Sequence, residues 1–157
     1  MNKSTMIAAI FAASAFSAFA ADVYSSNIVG YTKLAANGGE SGEAYTMLAA
    51  PFTVVGGGEV AIKNLFLDNS VFQAGEAENV ADTIKIWNGA GYTTYFYSSD
   101  VPDAWASDQD SFTETEDTIP VGTGFWLYRR GAAIPAMLTA GEVIQTNVTV
   151  AVNGNDA

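Results

Sequence analysis

Short runs of β-branched and aromatic residues, bounded by glycine or polar turn residues, recur along the chain and constrain its fold class. Such runs are typical of β-strands, because these side chains pack well on a pleated surface. The clearest pair, 83–87 and 92–98, flanks Asn88-Gly89, a strong hairpin signal because both residues tolerate a positive φ. Further strands are predicted over 23–34, 44–55, 124–129 and 136–138.

Residues 142–153 alternate more strictly than any other stretch. One side of this stretch carries Ile144, Thr146, Val148, Val150 and Val152, and the period of two predicts a strand with one buried face. One short helix is expected over 61–68, and residues 74–82 are interpreted as a polar linker or a short helix. The pattern as a whole predicts one all-β domain, either an antiparallel β-sandwich or a partly closed barrel with one short helix.

Residues 1–20 have the plan of a secretory signal peptide. Lys3 precedes an apolar run from Met6 to Phe19, and Ala18-Phe19-Ala20 supplies a cleavage pattern,. The apolar run is too short and too rich in alanine for a transmembrane span. We therefore expect a secreted protein, extracellular or on the cell surface and without membrane insertion, whose mature domain comprises residues 21–157.

Composition excludes several classes of function. The chain has no cysteine and no histidine, so disulfides, thiolate chemistry, Ser-His-Asp catalysis and histidine-based zinc sites are impossible. Its net charge of −11 repels phosphate backbones and argues against nucleic-acid binding. No catalytic residues are predicted, and we expect the protein not to be an enzyme.

Acidic residues are densest between Asp100 and Asp117. Carboxylate oxygens suit calcium, and Asp108, Asp110 and Glu114 are weak candidate ligands,. Because the loop lacks the glycine and the distal glutamate of an EF-hand, a solvated acidic loop is the favoured interpretation. No other cofactor is predicted.

Aromatic residues cluster between positions 87 and 128. Strand alternation places Tyr95 with Tyr97, and Trp126 with Tyr128, on shared faces,. Core packing and cross-strand pairing explain most such residues, but an outward set suits either sugar stacking or a subunit interface. Arg129 and Arg130, adjacent to the second pair, are consistent with an interface.

Five segments in order resemble a group of small, largely uncharacterised secreted β-proteins of verrucomicrobia-like bacteria. The segments are VYSSNIVGY at 23–31, LAAPF at 48–52, IWNGAGY at 86–92, PVGTGFWL at 120–127 and GEV at 141–143. The resemblance implies a secreted β-protein and transfers no catalytic residue. This chain differs by continuing beyond Val143 with the alternating stretch that reaches Val152.

Two functions are favoured by the sequence, and an enzyme that uses carboxylates alone, such as a glycosidase, is kept as the remaining alternative. The first is a structural subunit of an extracellular filament or cell-surface assembly, a homo-oligomer or homopolymer joined by terminal strand addition. Its assembly residues would be Val23, Ile28, Ile144, Thr146, Val148, Val150 and Val152. The alternative is a secreted carbohydrate-binding module that binds polysaccharide through exposed aromatics.

Overall fold

The computed structural model describes residues 28–38, 44–101, 104–108 and 110–145. Within these ranges the fold is all-β, as predicted, with ten strands and one 3-10 turn at Ile62–Asn64. The strands are β1 (Val29–Ala36), β2 (Ala44–Ala49), β3 (Val60–Ala61), β4 (Thr83–Trp87), β5 (Tyr92–Ser98), β6 (Ala104–Ser107), β7 (Asp110–Glu114), β8 (Thr118–Ile119), β9 (Gly124–Arg129) and β10 (Ile134–Glu142).

The main layer is a six-stranded antiparallel sheet in the order β2-β9-β4-β5-β6-β7. Its centre is the predicted hairpin of β4 and β5, which is confirmed. Asn88 Oδ1 accepts hydrogen bonds from the N–H groups of Ala90 at 3.0 Å and Gly91 at 2.9 Å. Gly89 takes a φ of 95°, which a side chain would disfavour.

Smaller two-stranded sheets and the 3-10 turn cover the inner face of the main sheet. The ribbon of β1 and β10 and the pair of β3 and β8 form these sheets. All contribute side chains to one core cluster, and the inner face of the main sheet supplies Ile84, Tyr95, Tyr97, Trp105, Phe125 and Leu127. The result is a sandwich-like arrangement, and its sheets are open rather than closed into a barrel.

A loop over residues 73–82 folds onto the opposite, outer face of the main sheet. Ala81 forms a second buried cluster there with Phe96 and Ala106. The loop ends in Asp82, which is fully buried and forms an ion pair with the buried Arg129 at the end of β9. The loop therefore covers the β5 and β6 part of the outer face.

The ion pair is surrounded by further hydrogen bonds. Asp82 Oδ1 accepts from Arg130 N at 2.7 Å, and Asp82 Oδ2 accepts from Gln73 N at 2.7 Å. Arg129 also donates to the carbonyl oxygens of Val71 and Ala132 at 3.0–3.3 Å. Such extra bonds are what a buried ion pair needs to offset the cost of removing both charges from water.

The predicted helix over 61–68 is wrong in extent. Only Ile62–Asn64 form a 3-10 turn, and Ala61 before it offers no side-chain cap. The Ile62 N–H donates to Asp117 O at 2.9 Å, which ties this turn to the segment before β8. Leu65 and Phe66 are buried, as the pattern indicated. No helix within the described ranges has the length and apolarity needed to span a bilayer.

Strand β10 is longer than the predicted 136–138. Its proline and glycine residues have low strand propensity, so the sequence did not indicate its full extent,. Pro135 lies near its start, where an edge strand tolerates a missing N–H,. A Cβ at Gly141 would lie 2.3 Å from Thr53 O, so glycine allows Thr53 and Glu142 to exchange backbone hydrogen bonds. Strands β3, β6, β7 and β8 were not predicted.

The strand predicted over 142–153 does not extend past Glu142 in its described part. Strand β10 ends at Glu142, and residues 143–145 belong to no strand, so the assignment of Ile144 to a strand is wrong. Val143 N–H donates to Ile28 O at 2.7 Å, which holds the chain beside the start of β1. Residues 1–27 and 146–157, which include Val23, Thr146, Val148, Val150 and Val152, lie outside the described residues.

The variant Asp82→Asn tests the buried ion pair. Arg129 would keep a buried charge without its counter-charge, so the free energy of unfolding should fall by about 3 kcal/mol. Urea denaturation monitored by tryptophan fluorescence measures it. Glu76→Gln removes an exposed carboxylate from the same loop and should change stability by less than about 0.5 kcal/mol. Equal stability of the two variants would contradict this account.

Candidate functional site

Seven side chains project from the uncovered part of the outer face, over β2, β9, β4 and the start of β5. We call them the aromatic face: Tyr45, Met47, Lys85, Trp87, Tyr92, Trp126 and Tyr128. Strand register brings them together, because residues paired across antiparallel strands share a face. The pairs are Tyr45 with Tyr128, Met47 and Lys85 with Trp126, and Trp87 with Tyr92.

The aromatic face is accessible to solvent. Tyr45, Met47, Trp87 and Tyr92 are 53–61% exposed, and Trp126, Tyr128 and Lys85 are partly buried between their neighbours. Contiguous apolar side chains left exposed in this way are characteristic of interaction surfaces and ligand grooves.

Contacts between rings fix the geometry of the aromatic face. Tyr45 lies against Tyr128 with centroids 4.4 Å apart and planes 31° apart, and it meets Trp126 edge-on at 6.2 Å. Trp87 and Tyr92 form a second edge-on pair at 5.2 Å. These offset and edge-to-face arrangements are favourable for aromatic pairs, so the rings are ordered before any ligand arrives.

Two adjoining depressions lie on this face. The larger is apolar, has a volume of about 520 Å³ and is lined by Tyr45, Lys85, Tyr92 and Trp126. The smaller, of about 180 Å³, is more polar and is lined by Tyr45, Glu78, Asn79, Thr83, Lys85, Tyr128 and Arg130. Tyr45 and Lys85 line both, so the two form one continuous surface feature.

Arg130 is held at the edge of the smaller depression. Its guanidinium lies 4.9 Å from the centre of the Tyr128 ring, a cation–π distance. It also donates to Ala81 O at 3.0 Å and to Glu78 O at 3.1 Å. Arg130 therefore links the loop over residues 73–82 to the aromatic face.

The sequence-predicted aromatics divide between the two faces of the sheet. Trp126 and Tyr128 belong to the aromatic face, whereas the placement of Tyr95 and Tyr97 among exposed aromatics is wrong. Both are buried, at 6% and 5% exposure, because their side of β5 faces the sandwich core. Arg129 is likewise buried and paired with Asp82, which corrects its interpretation as an interface charge.

Sequence reasoning missed Tyr45, Met47 and Lys85, and it counted Trp87 and Tyr92 in the aromatic cluster without naming them as site residues. A signal for the first was present, because Tyr45 and Met47 alternate with Thr46 and Leu48 in a predicted strand. Lys85 likewise alternates with the apolar Ile84 and Ile86, which indicates an outward position at the middle of β4.

The acidic segment lies elsewhere, around β7. Glu114 is paired with Lys63 at 3.0 Å, and Glu116 pairs with the same lysine at 2.7 Å; these bonds raise the lysine pKa above its ordinary value. Asp108 lies in the turn between β6 and β7, and the Asp110 side chain is outside the described set. Among the described residues no three acidic side chains form a metal-binding group, and the calcium site stays a prediction.

Comparisons with protein-family models, curated proteins and solved structures find no match to this chain. The resemblance to secreted proteins of verrucomicrobia-like bacteria therefore stays a prediction.

Tyr95 has a structural role at the inner face of the sheet. Burial raises the pKa of its hydroxyl above the ordinary 10.0, and the hydrogen bond that it donates to Asp117 Oδ2 at 2.9 Å raises it further. The folded state therefore binds this proton more tightly than the unfolded state. The resulting stabilisation is complete below pH 10.0 and is lost as the pH rises above that value.

Replacing Tyr95 with phenylalanine should remove this pH dependence. Above about pH 10 the stability of the wild type relative to Tyr95→Phe should fall by up to about 1.4 kcal/mol per pH unit. Urea unfolding at a series of pH values from neutral upward measures it. Tyr45→Phe, which removes an exposed hydroxyl, is the control and should follow the wild type. Parallel curves for wild type and Tyr95→Phe would refute the assignment.

Proposed function

We propose that this protein is an exported, non-catalytic binding protein that holds a polysaccharide against its aromatic face. One observation supports the proposal above all others: Tyr45, Tyr92 and Trp126 line an open apolar depression together with Lys85. The signal peptide predicted at residues 1–20 supports the proposal, because an exported protein would meet extracellular polysaccharides,.

Sugar rings suit a surface of this kind. One face of a pyranose ring presents C–H groups with slight positive charge, and aromatic faces carry negative charge. Stacking therefore combines apolar burial with electrostatic attraction, and the partly exposed hydroxyls of tyrosine can accept or donate hydrogen bonds at the ring edges.

The extent of the aromatic face favours a polymer over a single sugar. It reaches from β2 across β9 and β4 to β5, three strand spacings or roughly 14 Å. The larger depression is shallow and open, so a chain of sugars can cross the face without a free end. The chain also lacks histidine and cysteine, which is consistent with binding without turnover.

Truncating Tyr45 to alanine tests the binding site. Loss of one stacking ring should weaken polysaccharide binding about tenfold, since an aromatic contact is worth on the order of 1 kcal/mol beyond its buried area. Affinity electrophoresis and calorimetry against a broad panel of polysaccharides measure the change. Trp126→Ala should act in the same direction.

The matched control is Tyr31→Ala. Tyr31 is 76% exposed on β1, in the ribbon that packs on the inner side of the main sheet, so its loss should leave the affinity of each single site unchanged. Failure of the wild type to bind any polysaccharide, or equal loss in the Tyr31 and Tyr45 variants, would reject the function.

A second candidate function, self-assembly, is favoured by the ribbon of β1 and β10. Within the described strands β1 has one neighbour, β10, and an edge strand of this kind accepts a further strand. Val29 and Tyr31 of β1 and Leu138 of β10 are exposed on the ribbon. We propose that the alternating residues 144–153 of a second copy add to this edge.

Deletion of residues 144–157 tests the assembly. Full-length protein should form concentration-dependent oligomers in sedimentation velocity runs and filaments in negative-stain micrographs, and the deletion variant should sediment as a folded monomer. A synthetic peptide of residues 144–153 should then bind the deletion variant. Monomeric full-length protein at every concentration, or assembly that survives the deletion, would reject strand addition.

A further inference from the structure

We infer that the polysaccharide bound by the aromatic face is acidic, with carboxylate groups that Lys85 recognises. This inference rests on the proposed function and names its ligand class. Three features of the site support it: the position of Lys85, the lining of the two depressions and a buried hydroxyl beside them.

Lys85 lies at the centre of the aromatic face. It is paired across the sheet with Trp126 on β9 and with Thr94 on β5, and it lines both depressions. An ammonium at this place is adjacent to any sugar that stacks on Tyr45 or Trp126. Charge-assisted hydrogen bonds to a carboxylate are stronger than those to a neutral hydroxyl.

The charge of Lys85 is not neutralised by its described surroundings. It forms no salt bridge with any residue that the structure describes, whereas Lys63 is bonded to two glutamates and Arg129 to Asp82. The four residues lining the larger depression include this cation and no carboxylate. This depression therefore presents a positive charge to a ligand, although the chain as a whole has seventeen acidic and six basic residues.

The smaller depression supplies a second polar group. Thr83 lies two residues before Lys85 on the same face of β4, and its Oγ1 atom is buried with no hydrogen-bond partner among the described residues. Buried hydroxyls nearly always have a partner, so this one is consistent with a site that a ligand completes. Glu78 is the one carboxylate of this lining, and it lies beside Arg130, whose side chain bonds its carbonyl oxygen.

The negative charge of the whole protein does not prevent this recognition. At physiological ionic strength, exposed charges farther apart than about 8 Å are largely screened, so the contacts with Lys85 outweigh the distant carboxylates. Long-range repulsion lowers the rate of association and leaves the local preference intact.

Matched pairs of polymers test the inference. Polygalacturonate, alginate and hyaluronan are each compared with the carboxyl-reduced, neutral form of the same polymer, with affinities measured by calorimetry on the full protein. At least one acidic polymer should bind about tenfold more tightly than its reduced form, and Lys85→Gln should abolish that preference while neutral binding is retained.

Two further variants isolate the charge. Lys85→Arg keeps the positive charge and should keep most of the preference. Lys33→Gln removes an exposed lysine from β1 and should leave the preference unchanged. Unfolding curves confirm that each variant is folded.

Several results would overturn the inference. They are equal or tighter binding of the reduced polymers, a preference that survives Lys85→Gln, or no binding of any acidic polymer. If neutral polysaccharides still bind in those cases, the proposed function stands and only the ligand class is wrong. If no polysaccharide binds, the proposed function and the ligand class are both rejected.

Discussion

The ion pair between Asp82 and Arg129 determines which part of the main sheet is left open. Both side chains are buried, and removing two charges from water costs several kcal/mol that only good geometry offsets. The pair meets that requirement through bonds to the 71–73 segment, to Arg130 and to the turn after β9. These bonds fix the loop 73–82 over Phe96 and Ala106, and they leave the outer side of β2, β9 and β4 exposed. The aromatic face is thus a consequence of where one loop is anchored.

Local sequence signals predicted the parts of the fold that depend on neighbouring residues. The β4–β5 hairpin and β9 were predicted at their observed bounds. The signals used were turn residues at Asn88-Gly89 and Gly122 and the alternation of side chains within each strand, and both depend only on neighbouring residues. Strand β10 could not be bounded in this way. Pro135 and Gly141 disfavour a strand by propensity, and only pairing with β1 and the close approach of Thr53 explain their presence. The two-residue strands β3 and β8 have no local sequence signal, since each is defined only by its pairing with the other.

The sequence indicated which types of residue form the candidate site, but it did not indicate which face of the sheet is left exposed. Alternation correctly separates Tyr95 and Tyr97 from Phe96, yet in this part of β5 both faces are apolar and both are covered, one by the core and one by the loop 73–82. On β9 the same alternation separates Trp126 from Phe125, and there only one face is covered. The difference arises from long-range packing that periodicity does not encode. Tyr45 and Lys85 join the site through the β2-β9-β4 strand order, which pairs β2 with a segment about 80 residues away and β4 with a segment about 40 residues away.

The two proposed roles use opposite layers of the same sandwich and therefore do not compete. The ribbon of β1 and β10 contributes Ala36, Ile134 and Met137 to the core beneath the main sheet, whereas the aromatic face is on the far side of that sheet. Copies joined through the ribbon would present their aromatic faces outward in a repeating series. A polymer held by one face would then be at high effective concentration for the next, and weak stacking at each site would give strong binding overall. A shallow, open site on a small domain is useful under this condition, because many modest contacts replace one deep pocket.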